Sequence, residues 1–480
     1  MHIVQQYDYS RVYKGKIDLL SGLPSSGERA RPIQTLAWYP AQKSAAPALL
    51  YGDYIRSATT EEVFARTDAE VKQLAGAWIG QRWGGIGAAQ AEQEWRRPMW
   101  AVRDAVELPG KFPVVIYAPS FSASAHESAD LCEYLASQGY LVLASPDMGA
   151  HECTMSHDIE GVEAQVGDIE FLIGYAHGLA QADMAHLAVV GYSWGGMSNV
   201  FAAAKDSRIT ALVSLDGSLR YFPELVNSAK YVVPARLALP FLFVAARPRS
   251  IEDLLAKKQD LSASLMNNMA YTDLYKVTMY PMTHANFSSE YQRFASDAGG
   301  FGEYSRAETS LAHSWMARYV HQFLNAYLKN DAAGLAFMNG TPEKNLVPPH
   351  MLTLESRHAN GQPPTLETLA EGLGKRGFEH AGEVYKDIKS RHGDFQPSEE
   401  SLRGWGYQLL LANKTGAAIE IFKLVTVLFP DSWNAFDCLA EAYQQNQDRA
   451  LAIKHYRRSL ELEPKNDNAA QHLKTLNAAR

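Results

Sequence analysis

The chain has 480 residues, of which 46% are hydrophobic and 20% charged, and a formal net charge of −8. That length exceeds what one core can hold and predicts about two to four domains. The mild acidity carries no block of like charge and no basic stripe, which excludes an electrostatic footprint for nucleic acid.

Cys132, Cys153 and Cys438 are odd in number and lack C-x-x-C spacing, so neither a disulfide framework nor a zinc site is expected. No apolar run is long enough to cross a membrane, and the N-terminus has no basic segment leading into an apolar one. The expectation is a soluble protein without a transmembrane segment, either cytoplasmic or an exported form whose signal has been removed.

Residues 9–16 and 33–40 read as an opening pair of strands, the second ending at Pro40 as a strand near a sheet edge should. From 41 to 109 no strand signal recurs. Instead, 60–83 reads as a helix with Val63, Phe64, Val71, Leu74, Ala75 and Trp78 on one broad face, and the segment continues through Trp95, Met99 and Trp100. An insertion this long and aromatic serves either as a cap over a pocket or as packing for the first sheet edge, and the cap is the expectation.

A regular alternation begins at 112. Short apolar strands at 112–117, 140–144, 186–190, 209–215, 240–245 and 275–279 alternate with helical stretches at 124–138, 162–179, 198–205 and 309–329. This pattern predicts an α/β fold with a mostly parallel sheet covered by helices on both faces. In such sheets the chemistry sits at the carboxyl ends of the strands.

The stretch Gly191-Tyr192-Ser193-Trp194-Gly195 lies at one of those ends, between a strand and a helix. A sharp strand-to-helix turn exposes the serine, and glycines two residues either side let the backbones approach, so Ser193 is the candidate nucleophile. A serine hydroxyl needs a base, and the base needs an acid to hold its tautomer. The loop after the last core strand carries His284, the expected base, with His313 on the following helix as its nearest rival. For the acid, Asp216 ends the strand after the nucleophile helix, whereas Asp253 follows one strand later. Asp216 is the better placed, although Asp-Gly is also an ordinary turn. The oxyanion hole is expected from the N–H of Trp194 and one in the loop 118–124; Pro119 cannot donate, which favours Phe121, with Ser120 as a second choice.

Taken together, Phe112-Pro113-Val114-Val115-Ile116, Gly191-Tyr192-Ser193-Trp194-Gly195-Gly196, Leu215-Asp216-Gly217, His284-x-Asn286-Phe287 and the earlier Trp38-Tyr39-Pro40 resemble the platelet-activating-factor acetylhydrolase branch of the α/β-hydrolases, related to dienelactone-hydrolase-like proteins. The resemblance covers about residues 10–330. It implies hydrolysis of esters with short or oxidised acyl groups without metal or cofactor, and an acid on the strand after the nucleophile helix, at Asp216. One departure from the resemblance is plain: members of that branch usually carry His-Gly before the oxyanion residue, where this chain has Pro119-Ser120. Dienelactone hydrolases proper use a cysteine nucleophile, and Ser193 argues against that activity.

His151-Glu152-Cys153 and His157-Asp158 contain metal-ligand residue types in no common zinc spacing, and they read as loop residues at the mouth of the pocket. The catalytic domain is expected over 1–339, with 41–109 as its insertion. A proline-rich linker is expected over 340–364. Beyond it, Pro430 and Pro464, Gly406 and Ala440, Ala418 and Ala452, and Phe422 and Tyr456 are each 34 residues apart. That period resembles the tetratricopeptide signature. It predicts repeats at 399–432 and 433–466, a degenerate one before them with Ala381 and Tyr385, and a capping helix from 467.

The functional expectation is a serine esterase acting on a small-molecule ester, with a homo-oligomer contact or protein partner assigned to the repeats. The competing reading is an inactive hydrolase-fold protein that binds through them.

Overall fold

A computed structural model describes the chain apart from residues 19–20, 83–85, 248–263, 394 and 479–480, and apart from the side chains of residues 79, 81, 82 and 264. The chain divides into two compact units, Met1–Asn360 and Gly361–Arg480.

Nine strands, the central ones short and apolar, hold the first unit together. They are β1 (His2–Val12), β2 (Ala30–Trp38), β3 (Phe112–Ala118), β4 (Leu141–Ala144), β5 (Ala182–Tyr192), β6 (Ala211–Leu215), β7 (Phe241–Ala245), β8 (Leu274–Met279) and β9 (Leu352–Arg357). Their spatial order is β1-β2-β4-β3-β5-β6-β7-β8-β9. The run from β4 to β8 is parallel, while β1/β2, β2/β4 and β8/β9 pair antiparallel.

A parallel sheet is buried on both faces, so its strands are apolar without alternation. In β3, Val114 to Ala118 are all at most 2% exposed. Val115 and Tyr117 pack on one face with Leu36, Trp38 and Tyr54, and Val114 and Ile116 pack on the other with Val162, Val166 and Phe201. Each such side chain contributes about 1.5–3 kcal/mol on burial.

The helices of this unit are α1 (Tyr51–Ala58), α2 (Asp68–Arg82), α3 (Ala88–Trp95), α4 (Ala129–Ser137), α5 (Ile159–His177), α6 (Gly195–Lys205), α7 (Pro223–Ser228), α8 (Ser264–Asn267), α9 (Ser289–Phe294), α10 (Arg306–Leu328) and α11 (Ala332–Met338). The insertion differs from its sequence reading. Its first helix is α1, whose Tyr51, Tyr54 and Ile55 are at most 1% exposed, and the Trp38 Nε1–H donates to the Tyr54 hydroxyl at 2.7 Å. This part packs on the β2 side of the sheet; further along the insertion, Glu61, Leu74 and Trp78 line a pocket together with Ser122 and Asp147. The expected long helix starts only at Asp68. The first strand also starts earlier than its sequence suggests, because pairing with β2 begins at His2 opposite Ala37. β2 itself lies inside the sheet, covered by β1.

The stretch 340–364 is not simply a linker, because it supplies β9. Leu352 pairs with Met279 and Arg357 with Leu274, so β9 closes the β8 side of the sheet. A chain ending at Asn360 should therefore fold and stay monodisperse, whereas one ending at Lys329 leaves the β8 backbone unpaired and should aggregate. Size-exclusion chromatography of the two purified chains checks this; equal behaviour would show that β9 is dispensable.

The second unit is all helical: α12 (Leu366–Arg376), α13 (Ala381–Arg391), α14 (Glu399–Leu411), α15 (Thr415–Leu428), α16 (Trp433–Gln445), α17 (Arg449–Leu462) and α18 (Asp467–Ala478). The starts of α14 and α16 are 34 residues apart, as are those of α15 and α17. Gly406 lets α14 and α15 approach closely, since a Cβ there would lie 2.4 Å from the Phe422 ring. Ala440 and Tyr456, one period later, are both fully buried.

Candidate active site

β5 ends at Tyr192, and α6 begins at Gly195, leaving Ser193 and Trp194 to make the turn. So tight a reversal forces Ser193 to φ +53°, a left-handed conformation that costs an L-residue roughly 1–2 kcal/mol. The flanking glycines make it feasible. A Cβ on Gly191 would lie 2.1 Å from the Gly195 carbonyl oxygen, and one on Gly195 would lie 2.1 Å from the Ala118 oxygen. Neighbouring strands lock the turn, with the Ser193 N–H donating to Leu215 O at 3.0 Å and the Ser218 N–H to Ser193 O at 2.7 Å.

His284 opens a single 3-10 turn, His284–Phe287, directly after β8. Thr283 and Asn286 cap that turn reciprocally, and the Tyr192 hydroxyl donates to the His284 carbonyl at 2.9 Å, tying the histidine loop to the residue before Ser193. The imidazole Nε2 lies 2.9 Å from Ser193 Oγ, and Nδ1 lies 2.6 Å from Asp216 Oδ2.

Asp216 follows β6 at φ +44° and is fully buried. Its Oδ2 also accepts from the Tyr221 hydroxyl at 3.1 Å, while Oδ1 accepts from Arg220 Nη2 and the Ala246 N–H, both at 3.0 Å. Burial works to raise this carboxyl, but the hydrogen bond and charge of His284, then Arg220 and the Ala246 amide, outweigh it and hold the group below the usual carboxylate range. An ionised carboxylate can only accept, so Nδ1 carries the imidazole proton and Nε2 is left to accept from the serine hydroxyl.

Ser193, His284 and Asp216, picked from three separate loops of the sequence, thus meet in one hydrogen-bonded chain. His313 does not join it; it lies on α10 beside a separate cleft of about 510 Å3 with Glu94, Arg97, Asp130 and Arg293. Asp253 lies outside the described residues.

The loop after β3 is held in an extended set of contacts. Pro119 O accepts from the Gly195 N–H at 3.1 Å and from Gln165 Nε2 at 2.9 Å. The Ser120 N–H, the second choice for the oxyanion hole, donates instead to Glu127 Oε2 at 2.8 Å. The Ser122 N–H donates to Asp147 Oδ2 at 2.9 Å, and that of Ala123 to Ser120 O at 3.0 Å. Among the described residues the N–H groups of Phe121 and Trp194 make no hydrogen bond. Ser122, at φ +53°, bends the loop without a glycine.

Rings surround these two amides. Phe121 stacks on His157 at 3.8 Å between centroids and meets Trp194 edge-on at 5.3 Å, with Phe222 5.5 Å from Trp194. His157 is thus part of the site's wall, and Asp158 caps α5 through the Gly161 N–H. His151 Nε2 lies 3.7 Å from Glu160. Among the described residues no group of three or more His, Cys, Asp or Glu side chains is placed to hold a metal.

Arg220 and Tyr221 are members of the site that sequence reading missed, and so are Glu127 and Asp147. The first two follow Asp216 closely and could have been found by asking what else the buried carboxylate accepts. Glu127 and Asp147 stand in no motif.

A mostly parallel sheet flanked by helices, with a serine on the strand-to-helix turn after β5 and a histidine after β8, is the α/β-hydrolase fold, and this chain has it. No family model matches the chain. Over 122 residues it is 27% identical to a protein of Methylorubrum extorquens named "Putative carboxymethylenebutenolidase", a match covering 23% of this chain and 42% of that relative. The chain therefore matches less than half the length of that curated relative. Among solved structures it is similar to the ferulic acid esterase from Streptomyces cinnamoneus, with a TM-score of 0.49 and 22% identity, covering 69% of this chain and 90% of that one.

Proposed function

We propose that the protein is a serine hydrolase of carboxylic esters that works through an acyl-enzyme. The observation that carries this reading is the continuous chain from Ser193 Oγ through His284 to Asp216, with links of 2.9 and 2.6 Å, beside two backbone amides unpaired among the described residues. The partial match to a relative named as a carboxymethylenebutenolidase supports the same class of chemistry.

In this mechanism His284 Nε2 takes the proton as Ser193 Oγ attacks the ester carbonyl. Asp216 stabilises the imidazolium that forms, and the Phe121 and Trp194 N–H groups receive the developing oxyanion. His284 then gives the proton to the departing alkoxide. Water, activated by the same imidazole, releases the acid and restores the serine. The reacting atoms need no metal or cofactor in this scheme. Short or oxidised acyl groups are the proposed substrates, on the resemblance to the acetylhydrolase branch. The helical unit, with its 34-residue spacing, we take as tetratricopeptide-like repeats that serve assembly or recruitment of a protein partner.

The test is a panel of p-nitrophenyl esters from acetate to dodecanoate, combined with labelling by a fluorophosphonate and mass spectrometry of the adduct. Hydrolysis that favours short chains, with the label on Ser193, is expected. A protein that neither hydrolyses any ester nor takes the label would leave the binding-protein reading standing.

A further inference from the structure

The loop after β3, which carries Pro119-Ser120, presents one amide that is unpaired among the described residues between paired ones. Of the four consecutive N–H groups from Ser120 to Ala123, three are used within the described residues and only that of Phe121 is not. Two of the three acceptors are side chains from outside the loop, and both are buried: Glu127 is 6% exposed and Asp147 1%.

We propose that Glu127 and Asp147 are positioning residues for ester hydrolysis, gripping the peptide groups on either side of Phe121 so that its N–H is held ready for the oxyanion. This rests on the hydrolase reading above and assigns what holds the oxyanion loop in place.

Each carboxyl makes a second connection that suits it to this task. Glu127 grips both the Ser120 N–H and the Ser120 hydroxyl with its two oxygens. Its own carbonyl accepts from the Glu290 N–H at 3.1 Å and from the Ser289 hydroxyl at 3.2 Å, at the start of α9, which follows the His284 turn. One residue therefore ties the oxyanion loop to the loop that carries the base.

Asp147 returns the contact, its own N–H donating to Ala123 O at 2.9 Å, so that the loops after β3 and β4 are cross-linked twice. Behind it, buried Arg31 donates to the carbonyls of Met148 and Gly149 and pairs with Asp168, which fixes the backbone from which Asp147 reaches. Further along, Glu61 from the insertion accepts from the Ala125 N–H at 2.9 Å.

Two full negative charges beside an oxyanion would oppose catalysis. Burial, the largest influence, pushes the Asp147 carboxyl well above the usual carboxylate range, and a neutral acid can still accept from Ser122. Asparagine should therefore replace Asp147 with little loss, whereas a residue without an acceptor should not. At Glu127 the grip is bidentate and its reach matters: aspartate keeps the carboxyl but is one methylene too short.

The experiment uses the full chain, p-nitrophenyl acetate for kcat and KM, and an alkyl trifluoromethyl ketone whose tetrahedral adduct with serine carries the oxyanion. Asp147→Ala and Glu127→Asp are expected to lower kcat by about 10- to 100-fold and weaken ketone inhibition by a similar factor, with KM changed less than about threefold. Asp147→Asn should stay within about threefold of wild type on every measure. Should Asp147→Ala fail to fold, Glu127→Asp, checked by circular dichroism and melting temperature, decides.

Folded variants with unchanged kcat and ketone affinity overturn the proposal. So does a fall in kcat that leaves ketone affinity untouched, because the oxyanion would then not be involved. A wild-type protein that neither hydrolyses the ester nor takes the fluorophosphonate overturns the hydrolase reading itself, and the positioning role with it.

Discussion

Replacing Ser193 by alanine should lower kcat for an activated ester by about 10⁶-fold, and His284→Ala should do nearly the same. The two residues act as one device. Without Oγ there is nothing for Nε2, 2.9 Å away, to deprotonate, and without the imidazole the hydroxyl remains a weak nucleophile. The double variant should therefore be no worse than either single one, and a residual rate of about 10³ over water should persist from the oxyanion amides and binding. Ser193→Ala also relieves no backbone strain, since alanine at φ +53° is as strained as serine, so melting temperature should barely move. Multiplying losses in the double variant would show that the two side chains contribute separately and that the acyl-enzyme route is wrong.

The second large effect concerns Asp216. In Asp216→Asn the amide oxygen can keep the contacts with Arg220 and the Ala246 N–H, which places the amide NH2 opposite His284 Nδ1. Two donors cannot face each other, so the imidazole shifts to the tautomer with its proton on Nε2 and can no longer accept from Ser193. The expected loss in kcat is about 10⁴-fold with KM little changed, while Asp253→Asn should be nearly silent.

Stability should follow pH in the matching sense. The folded-state value of Asp216 is depressed, so its contribution is complete above the ordinary carboxylate value near 3.8 and disappears as pH falls through the lower folded value. Acid unfolding of Asp216→Asn should lack that component. If Asp253→Asn proves the damaging change instead, the acid comes from after β7 and the assignment made here fails.

How much of this was legible beforehand depended on how local the cause was. Gly191 to Gly195 announce a turn through contacts within five residues, and His284 and Asp216 follow from the order in which parallel strands end. β9 was not legible in this way. Leu352–Arg357 is half exposed and sits among prolines and polar residues, so what makes it a strand is its partner β8, not its own composition. The helix α1 was missed for the opposite reason. Its Tyr51, Tyr54 and Ile55 have too short a period to stand out, and only Trp38 and the sheet face beneath make them core. Glu127 and Asp147 carry no motif, because their meaning comes from the amides they grip across seven and 25 residues.

β9 has one further consequence, for the ribosome-bound chain. Leu352 follows its partner Met279 by 73 residues. At roughly 5–20 residues per second, β8 has been made about 4–15 s before the strand that covers it. Over that interval every other strand of the sheet, with Ser193, Asp216 and His284 among them, already exists in the nascent polypeptide. The growing first unit thus carries an open hydrogen-bonding edge until late in its translation, and that window is when a chaperone has most to shield.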